Sequence, residues 1–332
     1  MKILKRMKTI ERTVILFVVL FVVVCFQFCK PPTSEKYKIV YVNSYHRGHP
    51  SSDEIMDAVI HEFRSDSFEL HSYIMDTKRN SAQEYIKNKS AQLYDSIKAI
   101  DPDIVIVSDD NAVKYLIQPY FQGKDLPVVF CGVNWSDKEY NLQEVMVTGM
   151  LEILPLAETL QTMLAFNPSI KKLLVLNENT TTSRKEKLLL DTLFTRVGVE
   201  ATHELVSDFD SWKTHFKKGN ELYDIIYIST NGAINGWDRD EAINFVHQNI
   251  LVPVVTCEDF MMPYAVLGRT KVAKEQGIWA AQTAKKILKG ENPSDIPVTK
   301  NQQSKIWLNS KLADKIQFYP DEEFLRKTII IE

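Results

Sequence analysis

The sequence contains few of the residues that build flexible linkers and none of several motifs that mark common catalytic sites. Only 11 of its 332 residues are glycine, and no low-complexity segment separates its halves. Gly-x-Ser-x-Gly, the Walker loop and Gly-x-Gly-x-x-Gly are absent, and His61-Glu62 lacks the second histidine of a zinc-protease motif. We therefore predict that the protein is not an enzyme, that it has no cofactor and no metal site, and that several short crossings join its halves.

A strong excess of charge of either sign is also missing. The 40 Lys and Arg residues nearly balance the 43 Asp and Glu residues, which gives a formal net charge of −3. No basic stripe runs through the sequence, as a nucleic-acid-binding surface would require. Nucleic acid is therefore excluded as the expected partner.

The first 29 residues have the layout of an export segment. Five basic residues come first, and the stretch from Thr13 to Phe28 carries no charge. This stretch is slightly short for a membrane span, so both a signal peptide and an uncleaved N-terminal anchor stay open for residues 1–29. Cys25 and Cys29 are the candidates for lipidation. We predict an exported protein, periplasmic or anchored to the outer face of the membrane, that contacts the membrane only through this anchor or lipid.

Two cysteines remain in the exported part, Cys131 and Cys257. Each lies at the end of a predicted buried strand, and the two strands belong to different halves of the sequence. A disulfide would have to bridge these separate strand ends, although an exported chain permits one. We predict two buried free thiols.

Strand-like and helix-like stretches alternate along almost the whole exported chain. Such alternation predicts a parallel sheet with crossover helices. One series runs to Gly149, and a second series of similar order follows it. The predicted fold class is thus α/β, with two Rossmann-like lobes. A long helix over 271–288 has small residues at one side, which favours close packing on a neighbour, and a short helix over 308–316 closes the chain.

Six apolar runs in this pattern each end in a cluster of small polar or acidic residues. In open α/β sheets the ligand crevice lies at the carboxyl ends of the strands. The clusters therefore supply the candidate ligand-binding residues: Ser44, Tyr45, His46, Asp109, Asp110, Asn111, Asn134, Asn179, Thr180, Thr181, Thr230, Asn231, Glu258 and Asp259.

The residue types in these clusters suit a small polar ligand. Acidic strand ends can pair with an ammonium group, and helix N-termini near Ser51-Ser52 and Thr180–Ser183 can receive a carboxylate. Simple helix capping is the alternative for these Ser and Thr residues. Nearby aromatic residues offer ring contacts or seal the rim instead: Tyr45, Trp135, Trp237 and Tyr264.

The order and spacing of several short motifs carry a family resemblance. They are Val42-Asn43-Ser44-Tyr45-His46, Val107-Ser108-Asp109-Asp110-Asn111-Ala112, Phe130-Cys131-Gly132-Val133-Asn134, Val147-Thr148-Gly149 and the tail from Gly277 to Pro293. The chain resembles the ABC-transporter substrate-binding protein family with a type I periplasmic-binding fold. The similar branch includes tryptophan/tyrosine-type binding proteins and related sensor ectodomains.

This resemblance implies an N-terminal lobe over 37–149 plus about 271–295, and a C-terminal lobe over 150–270 plus about 300–332. It implies an extracytoplasmic solute-binding protein whose partners are a small molecule and an ABC permease. An amino acid, aromatic ones included, is the leading ligand. The alternative function is a sensing module of the same fold that signals through a membrane receptor such as a sensor kinase. A third alternative, an enzyme of unfamiliar chemistry, is left open by the fold itself.

Overall fold

The computed structural model describes residues 36–143 and 146–332, and its strands form two sheets. In chain order the strands are β1 (Tyr37–Asn43), β2 (Phe68–Ile74), β3 (Ile104–Ser108), β4 (Val128–Asn134), β5 (Val147–Glu152), β6 (Lys172–Glu178), β7 (Glu200–Val206), β8 (Ile225–Ile228), β9 (Val254–Thr256), β10 (Leu267–Lys271), β11 (Thr299–Lys300), β12 (Ser304–Asn309) and β13 (Thr328–Ile331).

Helices connect most of these strands. They are α1 (Pro50–Glu62), α2 (Gln83–Ile100), α3 (109–120, in which π-helical Val113–Ile117 interrupts α-helical turns), α4 (Leu156–Phe166), α5 (Thr181–Val197), α6 (Phe209–Leu222), α7 (Arg239–Asn249), α8 (Ala273–Leu288), α9 (Ser310–Lys315) and α10 (Glu322–Leu325). Short 3₁₀ turns lie at Lys138–Tyr140, Asp259–Tyr264 and Pro293–Asp295.

Each sheet forms the centre of one lobe. The first has the order β11-β5-β4-β3-β1-β2, and its neighbouring strands are parallel. The second has the order β13-β12-β10-β9-β8-β6-β7, in which only the β10–β12 pair is antiparallel. The chain passes from one sheet to the other after β5, after β10 and between β11 and β12. The predicted α/β class, with two parallel-dominated sheets and several interlobe crossings, is confirmed.

The first sheet is buried on both faces, as parallel sheets usually are. Val40 and Val42 pack toward α2, whereas Ile39 and Tyr41 pack toward α1 and α8. Gly277 allows α8 to approach α1, because a Cβ atom at this position would lie 2.3 Å from the carbonyl oxygen of Ile55. This close packing confirms what the small residues of the long helix predict.

Two strands at the lobe crossings escape sequence-based prediction. β5 contains Gly149, and β10 reads Leu-Gly-Arg-Thr-Lys, so neither has a continuous apolar run. Pairing with β9 and β12 extends residues 267–271 into β10, and the helix predicted from Lys271 therefore begins at Ala273. Tertiary pairing outweighs local preference in such strands.

The thiols of Cys131 and Cys257 are buried and free, as predicted. Among the helices of residues 36–143 and 146–332, none is both long and apolar enough to cross a membrane. The export segment over residues 1–29, with Cys25 and Cys29, lies outside the described residues.

Candidate functional site

A polar cavity lies between the lobes, at the carboxyl ends of both sheets. On one side it is lined by residues at the ends of strands of the first sheet, and on the other side by residues at the ends of strands of the second sheet. The lining residues are Tyr45, His49, Ser51, Ser52, Ile55, Lys78, Asp109, Asn134, Glu152, Glu178, Thr182, Ser183, Glu186, Ser229, Thr230, Glu258 and Lys271. Because parallel strands end at the same edge, residues far apart in sequence meet here.

Five of the residues predicted from the strand ends line this cavity: Tyr45, Asp109, Asn134, Thr230 and Glu258. Asp110 lies beside it and accepts hydrogen bonds from Asn134 Nδ2 at 2.7 Å and from Tyr140 Oη at 2.6 Å. Part of the predicted set therefore meets in one place, although it comes from five strand ends: those of β1, β3 and β4 in the first lobe and of β8 and β9 in the second.

Four of the other predicted residues do not line the cavity. Ser44 donates to the carbonyl of Ser108, and Asn111 donates to Thr77 Oγ1. His46 is 3.6 Å from Asp76, and Asn179 accepts from Arg184. Their side chains therefore stabilise the loops at the strand ends.

Thr180 is the N-cap of α5, since its Oγ1 accepts from the amide of Ser183 at 3.1 Å. The structure thus gives Thr180 the capping role rather than a place on the cavity wall. Thr181 begins α5, and its side chain lies outside what the structure describes. Asn231 and Asp259 are half-buried in turns next to the lining residues Thr230 and Glu258.

Two lysines cross the cleft between the lobes. Lys78 follows β2 in the first lobe, and its Nζ pairs with Glu178 at the end of β6 and donates to Thr230 Oγ1 at 3.3 Å. Lys185 of α5 reaches back to Asp110 Oδ1 at 2.8 Å. All four charged side chains are nearly inaccessible to solvent. Buried charges of this kind need partners, so the two ion pairs favour the closed arrangement of the lobes.

Lys271 joins the strand ends at two of the crossings. Its Nζ pairs with Glu152 at the end of β5 and lies 2.8 Å from Glu258 Oε1. Ser51 Oγ, at the start of α1, donates to the other oxygen of Glu258 at 2.9 Å. Burial raises the pKa of Glu258, while the Lys271 ammonium opposes that rise. This cluster links both lobes to the crossing segments.

Unlike the carboxylates in these ion pairs, Asp109 and Glu186 have no ion-pair partner among the described residues. Burial raises the pKa of Asp109 well above its ordinary value, and the nearby Glu152 carboxylate raises it further. Burial likewise raises the pKa of Glu186 to about 8. Glu178 is the contrast, because the Lys78 ammonium overcomes the effect of burial and lowers the pKa of that carboxyl.

His49 lies in the cavity wall with unused hydrogen-bonding capacity. It is 5% exposed, and neither ring nitrogen has a hydrogen-bond partner among residues 36–143 and 146–332. Burial lowers the pKa of His49 well below its ordinary value, and Lys78 and Lys271 lower it further. In that same part of the chain, Asp109 Oδ2 is also without a partner.

Of the four aromatic residues near the strand ends, Tyr45 is the one that lines the cavity in the described part of the chain. Trp237 Nε1 donates to Tyr264 Oη at 3.3 Å, and both rings pack in the second lobe. Tyr45 does reach the cavity, and its hydroxyl lies 3.2 Å from Thr182 Oγ1 across the cleft. The cavity volume in this arrangement is about 30 Å³, which is room for one or two water molecules. A ligand of amino-acid size therefore requires the lobes to part.

Several lining residues were not predicted from the sequence. Lys78 follows β2, and Glu152 and Lys271 are the last residues of β5 and β10, so the strand-end rule finds them once those strand ends are known. Glu186 lies in the second turn of α5, and His49 precedes α1, where no strand ends. The polar clusters predicted at the strand ends include neither position.

Two α/β lobes with a polar cavity at their crossings define the class of two-lobed ligand-binding proteins. The family model described as ABC transporter substrate binding protein matches residues 46–329. The chain therefore belongs to the ABC transporter substrate-binding protein family, as its motifs predict. No curated protein sequence matches the chain.

Solved structures share this fold at low sequence identity. A domain from Streptococcus pneumoniae, in complex with L-Trp, is 17% identical with a TM-score of 0.69, covering 90% of this chain and 100% of that one. A conserved domain protein from Vibrio cholerae is 14% identical, with a TM-score of 0.70 and the same coverage. A carbohydrate transporter from Acidothermus cellulolyticus, in complex with myo-inositol, is 13% identical with a TM-score of 0.58, covering 85% and 98%. These neighbours show the type I periplasmic-binding fold alone.

Proposed function

We propose that this protein is the extracytoplasmic solute-binding component of an ABC importer and binds a small polar ligand between its lobes. One observation carries the proposal: His49 and Asp109 both line the interlobe cavity, are nearly fully buried, and have side-chain polar atoms without a partner in the part of the chain the structure describes. Buried polar groups are normally hydrogen-bonded, so a ligand that bonds to them gains what the protein leaves unused.

An amino acid is the first candidate ligand, because the cavity combines carboxyl groups with the first turns of α1 and α5. Ser51, Ser52, Thr182 and Ser183 lie in those turns. An aromatic side chain is one version of this candidate. The Streptococcus pneumoniae neighbour with L-Trp supports it, and the neighbour with myo-inositol supports a neutral polyol instead.

Ligand binding would shift the lobes toward the closed arrangement. A ligand shifts this balance only through contacts that differ between the open and closed forms. Contacts to Asp109 in the first lobe and Thr230 in the second exist together only when the lobes are closed. A membrane permease would then receive the closed, loaded protein.

Mass spectrometry of small molecules released from the purified protein tests the proposal. We expect one compound to be recovered and to bind the emptied protein in calorimetry. Scattering measurements should show a smaller radius of gyration with the compound than without it. A protein that yields no compound and binds no amino acid, nucleoside or sugar would refute the proposal.

A gene deletion distinguishes a role in transport from a role in sensing. If the protein serves an importer, deletion of its gene abolishes uptake of the recovered compound. Intact uptake, with loss of a transcriptional response to the compound, would favour the sensing module instead.

A further inference from the structure

The lysines of the cleft are all neutralised by the protein's own carboxylates. Lys78 pairs with Glu178, Lys185 with Asp110, and Lys271 with both Glu152 and Glu258. None of these ammonium groups is left to bind an anionic ligand. A ligand that carries only negative charge would have to compete with these buried pairs.

In contrast to these lysines, two carboxyl groups of the cavity have no partner of opposite charge in the described part of the chain. Within residues 36–143 and 146–332, neither Asp109 nor Glu186 forms an ion pair with a Lys, Arg or His side chain. Asp109 Oδ2 has no hydrogen-bond partner there, and Glu186 accepts one long hydrogen bond, from Asn177 Nδ2 at 3.3 Å. Asp109 is 7% exposed and Glu186 is 4% exposed.

These two carboxyls belong to opposite lobes. Asp109 directly follows β3, and Glu186 lies in the second turn of α5, yet both line the same cavity. Gly132 on β4 leaves room for Asp109, since a Cβ there would lie 3.3 Å from Asp109 Oδ1. A cationic group between Asp109 and Glu186 would therefore bridge the lobes.

We propose that the cavity recognises an organic cation, an amine-bearing ligand whose ammonium group lies between Asp109 and Glu186, and that its binding displaces protons from these carboxyls. This inference rests on the proposed function and names the ligand class of the same site. The amine enters as an ammonium ion, and the carboxyl protons leave to solvent, so no other reactant is needed.

The environment of both carboxyls agrees with proton displacement. Burial raises the pKa of each, so both groups hold their protons to higher pH than exposed carboxyls do. The charged groups that face Glu186 are Lys271, Glu152 and Lys78, and the same three, together with Asp110, face Asp109. An additional ammonium in the cavity would favour the ionised form of both carboxyls.

Calorimetry with two sets of probes tests the charge preference. The first set has four-carbon chains that differ in their polar end groups and therefore in charge: putrescine, 4-aminobutanoate, 1,4-butanediol and succinate. The second set keeps one ring: tryptamine, L-tryptophan and indole-3-propionate. We expect probes with an amine to bind and probes without one to bind at least ten-fold more weakly in the same set. Binding of succinate, indole-3-propionate or the diol as tightly as the amines, or no binding by any amine, would overturn the inference.

The number of protons released when the amine binds tests whether Asp109 and Glu186 are the carboxyl groups involved. Calorimetric titration of the protein with an amine that binds, in buffers of different ionisation enthalpy at pH 7, should show release of roughly one proton or more per ligand bound to the unaltered protein. In Glu186→Gln the release should fall, and affinity should drop roughly ten-fold or more. Asp109→Asn should lower affinity similarly, and asparagine tolerates the positive φ of 69° at this position.

Glu221→Gln is the matched control, because Glu221 is exposed near the end of α6. It should bind and release protons as the unaltered protein does. A folded Glu186→Gln variant with unchanged affinity and proton release would overturn the inference. Recovery of a bound neutral sugar from the purified protein would overturn it as well, yet would leave the binding function intact.

Discussion

Replacement of Glu186 by glutamine should make the protein more stable at alkaline pH. Glu186 is 4% exposed, and its pKa is raised to about 8 from an ordinary value of 4.5, mainly by burial. Because the folded-state pKa lies above the unfolded-state pKa, the unfolded chain releases this proton first as pH rises. The contribution of Glu186 to stability is therefore fully present below pH 4.5 and is lost as pH rises toward 8.

The size of this effect follows from the pKa difference. At about 1.4 kcal/mol per pH unit, the interval from 4.5 to about 8 corresponds to about 5 kcal/mol. Opening of the lobes would hydrate the carboxylate, so this figure is an upper estimate. Glutamine keeps the shape of the side chain and does not ionise. Between pH 5 and pH 8.5 we therefore expect the stability advantage of the variant over the unaltered protein to grow by about 2–4 kcal/mol.

Urea unfolding of both proteins at pH 5 and pH 8.5 measures this difference. The comparison between variants removes the contribution of other titrating groups, and Glu221→Gln serves as the exposed control. If the free energies of unfolding of Glu186→Gln and the unaltered protein differed by the same amount at both pH values, burial would not raise the pKa of Glu186 in the folded protein.

Three further substitutions test the packing, the cap and the cleft. Gly277→Ala should lower the free energy of unfolding by about 1–3 kcal/mol, because its Cβ would meet the Ile55 carbonyl at 2.3 Å; unchanged urea unfolding would contradict this packing. Thr180→Ala should cost about 1 kcal/mol of stability through loss of the α5 cap while ligand affinity in calorimetry stays within two-fold, and a large affinity loss would place Thr180 in the site. Lys185→Met leaves Asp110 without its ammonium partner, so the ligand-free protein should have a larger radius of gyration in X-ray scattering; an unchanged radius would show that this ion pair does not hold the lobes together.

The binding edge could be predicted from sequence because the prediction needs only local patterns. An apolar run followed by polar residues marks a strand end, and parallel strands end at a common edge. Tyr45, Asp109, Asn134, Thr230 and Glu258 line the cavity for this reason. The pairing of charges has no such local signature. Lys78 and Glu178 are 100 positions apart, and Lys185 and Asp110 are 75 apart.

The amino-acid sequence by itself determined the alternation of strands and helices, the two-lobed fold and the edge where polar residues gather, since hydrophobic periodicity and chain order encode them. Only the tertiary structure decided which charges neutralise one another and which carboxyls stay unpaired. That choice depends on distances across the cleft between lobes, and burial sets the pKa of Asp109 and Glu186 only once both lobes surround them.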